Sequence, residues 1–552
     1  MAQGPSVVVG VDFRDNLHIA WALMDSEDEI EVLSTWPGGG NRTSVKVPSL
    51  IVYKNKVPSW GYQVGLYTEA FRGIKLLLDE DQETKYPPSL ASKKLPTKYG
   101  KDVVQVIADY LRLIVKYAEE ALERRLGVPS RVMDLRFVLT VPAVWSDKAK
   151  DGTLRAALKA GIAPQDISLV SEPEAAALYS LRAIQPNTIA KNDVFIVCDA
   201  GGGTVDLISY QIRNLEPLVL TEAVKGEGRI CGSRLLDQRF ARMLEERMGS
   251  KSYGSLSEKS RETALQYWQD RVKPNFTGKY DDDYADIDYF IQVPGAHDDS
   301  SVPIEDGFFQ LTSEDVTSIL EPIIKDVESL VAEQMEGIRK KELPAKAIIL
   351  VGGFGASEFL FRRLQEANPT VTVMQPPNAS SGAVHRGRDG NQVESRIACR
   401  NYGIGYRTRY IEGKHNPDDK VWDELEERYQ VESRMEWYIK KFSTLSENLP
   451  IKMPFYRTIR TTELHKLQFT DDLLFCNSDN APETKNKEIM RLCTLEADLR
   501  DIPQELFVKK RNSQDAEYVE VHFDLVMIPT SASLLFELEF NGASYGSVRS
   551  KY

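Results

Sequence analysis

The stretch Asp199-Ala200-Gly201-Gly202-Gly203-Thr204-Val205-Asp206 joins an apolar run, Val194 to Cys198, to a second apolar run through three consecutive glycines. Residues without a Cβ let the backbone take positive φ and let successive N–H groups converge into a nest for an anionic oxygen. Asp199 and Asp206 flank that nest, and carboxylates so placed can hold a hydrated Mg²⁺ against phosphates. The plainer alternative is a glycine-rich turn between two solvated aspartates. The rest of the chain weighs on that choice.

The elements that must position this turn recur along the sequence. Val7 to Val11, then Asp12-Phe13-Arg14-Asp15-Asn16, then Leu17 to Leu23 repeats the plan of strand, aspartate, polar turn and strand. Such self-similarity suggests two related lobes. Ala347 to Val351 runs as a buried strand into Gly352-Gly353-Phe354-Gly355, after which Ser357 can cap a helix from Glu358 to Ala367. This is not a dinucleotide fingerprint, because Glu358 stands where the third glycine belongs and no acidic residue follows about twenty positions later. A third segment, Val138 to Val141 followed by Pro142-Ala143-Val144-Trp145-Ser146-Asp147, precedes a helix Lys148 to Ala160 ended by Gly161. Beyond it, Ser171-Glu172-Pro173 puts a carboxylate between a strand end and an alanine-rich helix.

In this order the segments resemble the ATPase domain of the 70-kDa heat-shock protein family, over roughly residues 7–390. Trp145-Ser146-Asp147 and the stretch from Phe71 to Asp79 are similar to the divergent branch of that family, without a helical lid. The resemblance implies an α/β architecture: a duplicated, actin-like (ribonuclease H-like) two-lobe ATPase fold followed by a C-terminal β-rich domain. The expected domains are residues 1–395, with lobes of about 1–190 and 191–395, and residues 400–552. It also implies ATP or ADP with Mg²⁺ as ligands. By the same resemblance Asp199, Glu172, Lys75 and Asp12 are the catalytic candidates, with Asp12, Asp199 and Asp206 near the metal. Gly201, Gly202, Gly203, Thr204, Arg14, Gly232, Gly352 and Gly353 are the nucleotide-contacting candidates.

Composition bounds the class. The chain has 552 residues, too many for one core, so several subdomains are expected. With 42% hydrophobic and 27% charged residues it reads as an ordinary globular protein. A net charge of −13 argues against a sequence-independent nucleic-acid binder, and no apolar run is long enough for a membrane span. Five cysteines without C-x-x-C spacing, and a segment Met1 to Gly10 without the marks of a secretory signal, point to a reduced, cytoplasmic setting.

Past about Arg400 the pattern alternates with period two. Val519 to Phe523 and Phe536 to Phe540 read as half-buried strands, and Met435 to Phe442 is expected to pair with Phe455 to Thr461. This resembles a reduced peptide-binding β-domain, lacking the family's acidic leucine-rich linker, helical lid and acidic tail. Protein clients would dock there, without a lid to retain them. The sharpest departure is the first turn, where the family's Gly-Thr-Thr is replaced by Arg14-Asp15-Asn16. A side chain at the first position blocks close backbone approach to phosphate, although Arg14 could itself contact an anion or pair with Asp15. The expectation is therefore a nucleotide-binding protein with weak or lost ATPase activity, chaperone-like or regulatory. The alternatives are an enzyme of another class using Asp12, Asp15, Asp199, Asp206 and Glu172 as acids and bases, and a small-molecule kinase.

Overall fold

The computed structural model describes residues 4–14, 16–24, 30–40, 43–53, 57–65, 68–79, 92, 94–143, 145–184, 189–298, 302–376, 381–447 and 449–551. Asp15 lies outside them. The chain divides into two compact units, Met1–Gln392 and Val393–Tyr552. Among the described residues no helix is long and apolar enough to cross a membrane.

Two mixed sheets of the first unit are built to one plan. In the first, Ser6–Phe13 pairs antiparallel with Asn16–Leu23, which pairs with Glu31–Val32. On its other side lie Asp134–Val141 and then Ile167–Ser171, both parallel. In the second, Val194–Ala200 pairs antiparallel with Val205–Asn214, which pairs with Val219–Arg229, and its other neighbours are Ala345–Val351 and Thr372–Met374, both parallel. The continuous apolar runs at the sheet centres follow from cover on both faces: Val7, Val8 and Val9 are fully buried, as are Ile196, Val197 and Cys198.

The helices begin and end where local chemistry dictates. Asp102 accepts from the Gln105 amide to start Val103–Leu126, and Gly127, at φ 68°, closes it. Ser146 caps Asp147–Ala160, and Gly161 ends it in the left-handed region. Thr312 and Asp315 form a capping box at the start of Ser313–Lys340. That helix turns Val316, Ile319, Leu320, Ile324, Val327 and Val331 into the core shared with the second sheet. Ser357 accepts from the Leu360 amide to start Glu358–Ala367. Helix Gly382–Asp389 packs on the first sheet beside Glu172–Ile184.

In the second unit one sheet runs Lys420–Asp423, Arg428–Ile439, Asn401–Arg409, Gln468–Cys476, Met490–Asp498, Arg549–Lys551. The other runs Ile451–Arg460, Glu517–Pro529, Leu534–Phe540, Ala543–Ser547, with Val508–Arg511 beside Glu517–Pro529. Their inner faces share a core that includes Ile404, Leu473 and Leu495 from one and Phe455, Phe523 and Leu538 from the other. Among the described residues this unit holds strands and single 3₁₀ turns and no α-helix. The expected pairing of Met435–Phe442 with Phe455–Thr461 is corrected: Met435 lies opposite Gly405, and Phe455 opposite Phe523, in different sheets. Period-two alternation reports which face is buried, not which strand lies alongside.

Candidate functional site

The two hairpins place an aspartate at equivalent points, one residue before the first strand ends. Asp12 faces His18 across the first hairpin, and Asp199 faces Asp206 across the second. Asp12 is 4% exposed and Asp199 2%, so each needs a buried partner. The partner of both is Arg14. Its Nε donates to Asp12 Oδ1 at 2.9 Å and its Nη1 to Asp199 Oδ1 at 2.6 Å, across 185 positions of sequence. Glu172 stands 3.6 Å from the same guanidinium. Arg14 thus bridges the two hairpins while bordering the cleft where an anion contact was expected; the expected pair with Asp15 lies outside the described residues.

The other expected catalytic residues close the ring. Lys75, on a 3₁₀ turn Ile74–Leu78, donates to Glu172 Oε1 at 2.6 Å and to the Thr140 carbonyl at 3.1 Å, between the rings of Phe13 and Trp145. Thr140 also donates its hydroxyl to Asp12 Oδ1 at 2.6 Å. Sequence reasoning passed over Thr140. Its signal was a hydroxyl inside a strand of otherwise buried apolar residues, where it must find an acceptor.

The glycine turn is built differently from the expectation. None of Gly201, Gly202 and Gly203 takes a positive φ. Their carbonyls instead receive the amides of the next segment: Ser233 donates to Gly201, Arg234 to Gly202 and Gly232 to Gly203, at 3.1, 2.9 and 3.2 Å. Close approach is what the missing Cβ of Gly232 permits, since a Cβ there would lie 2.3 Å from the Gly202 carbonyl oxygen. With the carbonyls turned to that side, the amides of Gly202, Gly203 and Thr204 donate to no backbone carbonyl among the described residues. Gly201 alone closes the turn, donating to the Thr204 carbonyl at 2.9 Å. Gly352, at φ 90°, holds the loop that donates from Phe354 and Gly355 to the Ala200 carbonyl, and a Cβ there would lie 2.3 Å from that oxygen. Gly353 has open space where its Cβ would be and makes no such approach.

Arg14, Lys75, Glu172, Asp199 and Gly201 to Thr204 therefore line one cleft, walled by Leu76, Pro142 and Trp145. Asp12 lies beneath it. Asp206 does not reach it, being 1% exposed and accepting from the Thr204 hydroxyl at 2.8 Å. The cleft volume is about 40 Å³, room for little more than a water, against the roughly 300 to 1,000 Å³ of ordinary ligand sites.

Burial raises both aspartates, and the neighbours decide the outcome. At Asp12 the Arg14 guanidinium, with His18, Thr140 and Lys75, overcomes burial and brings the carboxyl down to about 2. At Asp199 burial prevails: Arg14 opposes it, but Glu172 and Asp12 add like charge, and the carboxyl stays above its ordinary value. Its Oδ2 is buried without a hydrogen-bond partner among the described residues. Burial works against the charge on Arg14, yet Asp12, Asp199 and Glu172 hold the guanidinium firmly protonated.

A divalent cation does not fit this donor set as it stands. Oδ1 of Asp12 and of Asp199 are taken by Arg14, Asp206 by Thr204 and Glu172 by Lys75. Among the described residues no group of three His, Cys, Asp or Glu side chains is disposed to hold a metal. A doubly charged ion about 4 Å from a guanidinium would meet a repulsion of roughly 8 kcal/mol at an effective dielectric near 20.

Comparison with known proteins agrees with the order of these segments. Residues 100–355 match the family model described as Hsp70 protein, a stretch that contains Glu172 and the second hairpin. Residues 396–551 match a domain of unknown function, DUF8568. The chain is similar to heat shock 70 kDa protein 12A of Homo sapiens, 24% identical across 97% of this chain and 91% of that protein. It is also similar to heat shock 70 kDa protein 12B of Homo sapiens, 24% identical across 75% of this chain and 73% of that protein. Over 37% of its length it is 32% identical to the chaperone protein HscA homolog of Vibrio vulnificus (strain CMCP6), covering 33% of that protein. Residues 100–355 thus carry an Hsp70 family-model domain, and the chain is homologous to Hsp70 family members along most of its length at about 24% identity.

Proposed function

We propose that the protein is a nucleotide-binding module of the heat-shock type whose hydrolysis is slow or absent, and which works as a chaperone-like or regulatory component in the cytoplasm. Its two like-built sheets are read as the two lobes of a duplicated actin-like fold, about 1–190 and 191–392, with the cleft between their hairpins. The observation that carries this reading is the second turn: three backbone amides, of Gly202, Gly203 and Thr204, without carbonyl partners, lining a cleft beside a buried lysine. Such amides are a ready seat for phosphate oxygens. The loop around Gly352 and Gly353 would lie toward the nucleoside.

Slow hydrolysis follows from the first hairpin. It offers a side chain where close approach to a terminal phosphate needs bare backbone, and that side chain is tied to Asp199, the group best placed to orient water. Lys75 and Glu172 would face the phosphoryl group, but they are paired with each other. The β-rich second unit, strands without a helical cover among the described residues, is the candidate surface for protein partners.

The test is calorimetric titration with ATP and with ADP, each with and without Mg²⁺, on the native chain and on Gly202→Val. The variant is expected to lose affinity at least tenfold, about 1.4 kcal/mol, while its melting curve moves little. A folded variant with unchanged affinity would remove the turn from the site. ATP turnover by the native chain at the rates of an efficient kinase would refute the slow-hydrolysis part.

A further inference from the structure

We propose that Arg14 is the resident cation of the cleft: its guanidinium occupies the place between the two hairpins where a divalent ion would be held, so the protein takes up no metal there and holds its nucleotide without one. The inference deepens the nucleotide-binding reading and rests on it only for its second arm.

Four observations converge. Arg14 replaces the bare backbone of the family turn, so the chain has gained a positive charge at the point where a phosphate site recruits one from solution. Its planar fork spans both hairpins, with Nε on Asp12 at 2.9 Å and Nη1 on Asp199 at 2.6 Å. A lysine, a single point charge, does not bridge two carboxylates in that fixed geometry. The partners are nearly sealed, with side chains 5% and 2% exposed, whereas Arg14 keeps 22% and borders the cleft itself. The guanidinium thus neutralises buried acid on one side and presents charge to an anion on the other, as a bound Mg²⁺ would. Finally, Thr140 already donates to the Asp12 oxygen that Arg14 uses. That oxygen is left with little room for a metal bond.

The bridge has a mechanical side as well. It is the ion pair by which the first hairpin grips the second, so a phosphate that draws Arg14 toward itself loosens Asp199. Nucleotide entry and hairpin separation are then one event, without a metal to mediate it.

Manganese reports directly on the claim, because its electron paramagnetic resonance signal is lost on binding. The native chain is expected to show no manganese site that depends on Asp199, and Arg14→Gly is expected to gain one per chain. The melting point of Arg14→Gly should fall in chelator and recover in manganese, while that of the native chain should be the same in both. In the second arm, ADP affinity of the native chain should change by less than about twofold between Mg²⁺ and chelator, and that of Arg14→Gly by more than about tenfold.

A native chain that binds one manganese, lost in Asp199→Asn, overturns the proposal, as does a folded Arg14→Gly that gains none. Should Arg14→Gly not fold, the native chain decides: absence of an Asp199-dependent site supports the proposal and its presence refutes it. Failure of ADP to bind any form would refute the nucleotide reading alone, since the manganese arm is read without nucleotide.

Discussion

The first and second hairpins of the unit Met1–Gln392 are the same construction with different turns, and their difference locates what sets this protein apart. Each sets an aspartate one residue before the end of its first strand, and each has a parallel strand on its far side. In the second hairpin the turn is bare backbone, clamped from behind by the amides of Gly232, Ser233 and Arg234. In the first the turn carries Arg14, which crosses the cleft to the second hairpin's aspartate. One turn still offers amides to an anion. The other now offers a side-chain cation, and uses it to close the cleft. Equivalent backbone positions therefore do not imply equivalent chemistry, because a single side chain, Arg14, ties the first turn to the second hairpin's aspartate.

The largest expected effect breaks the second hairpin. Gly232→Val places a branched side chain where even a Cβ would lie 2.3 Å from the Gly202 carbonyl oxygen, and backbone on both sides leaves nothing flexible to yield. Destabilisation of about 3 kcal/mol or more is expected from denaturant titration. A loss below about 1 kcal/mol would show that the clamp is not what holds the turn.

A smaller effect separates the two aspartates by the sign of their pH dependence. Asp12, held at about 2 against an ordinary 3.8, stabilises the fold above the ordinary carboxylate value, and that contribution is lost as pH falls through the window from about 4 to 2. Asp12→Asn should remove this acid limb and cost roughly 2 to 3 kcal/mol near neutrality. Asp199, raised by burial, has the opposite sign: it favours the fold while protonated, and that contribution fades as pH rises through its folded value. Asp199→Asn should therefore flatten the stability profile above the ordinary carboxylate value rather than below it. Urea unfolding of both variants across acid pH compares them, and parallel profiles would contradict the asymmetry.

Next in size is conversion of the first turn toward the second. Arg14→Gly, Asp15→Thr and Asn16→Thr together remove the latch and supply small and hydroxyl-bearing residues. In the presence of Mg²⁺, nucleotide affinity or turnover is expected to rise about tenfold, near 1.4 kcal/mol. Unchanged titrations and phosphate release would mean that the turn is not what limits the site.

Much of this was legible in the sequence. The second hairpin announces itself by glycines between apolar runs, and helix ends by Ser357 and Gly161, because strand periodicity and capping are local properties. The order of segments carried the family. What sequence did not carry was reach. Arg14 reads locally as a turn residue with an acidic neighbour, and nothing within its own segment points to Asp199. The glycine turn was legible, but its build was not: none of the three glycines takes left-handed backbone, and it is the missing Cβ of Gly232 that lets the next segment lie against the Gly202 carbonyl. Strand partners in the second unit were hidden for a related cause: alternation gives each strand a buried face, and many strands there offer one.

The smallest expected effect bounds the comparison to one part of the molecule. Both hairpins, Lys75, Glu172 and the Gly352 loop lie within Met1–Gln392, and that unit has its own core around the second sheet. Residues from Val393 onward form a separate compact unit with a core of its own. If the cleft's behaviour is set by the two turns, a chain of residues 1–392 should fold and keep its nucleotide affinity within about threefold, a difference below roughly 0.7 kcal/mol. It should also lose whatever protein partners the β-rich unit provides. Limited proteolysis locates the boundary, and parallel titrations of full-length and shortened chains measure the coupling. A loss of tenfold or more, about 1.4 kcal/mol, would show that the second unit biases the cleft energetically. The latch would then be one half of a two-part switch, and Arg14→Gly would have to alter partner binding as well as nucleotide binding.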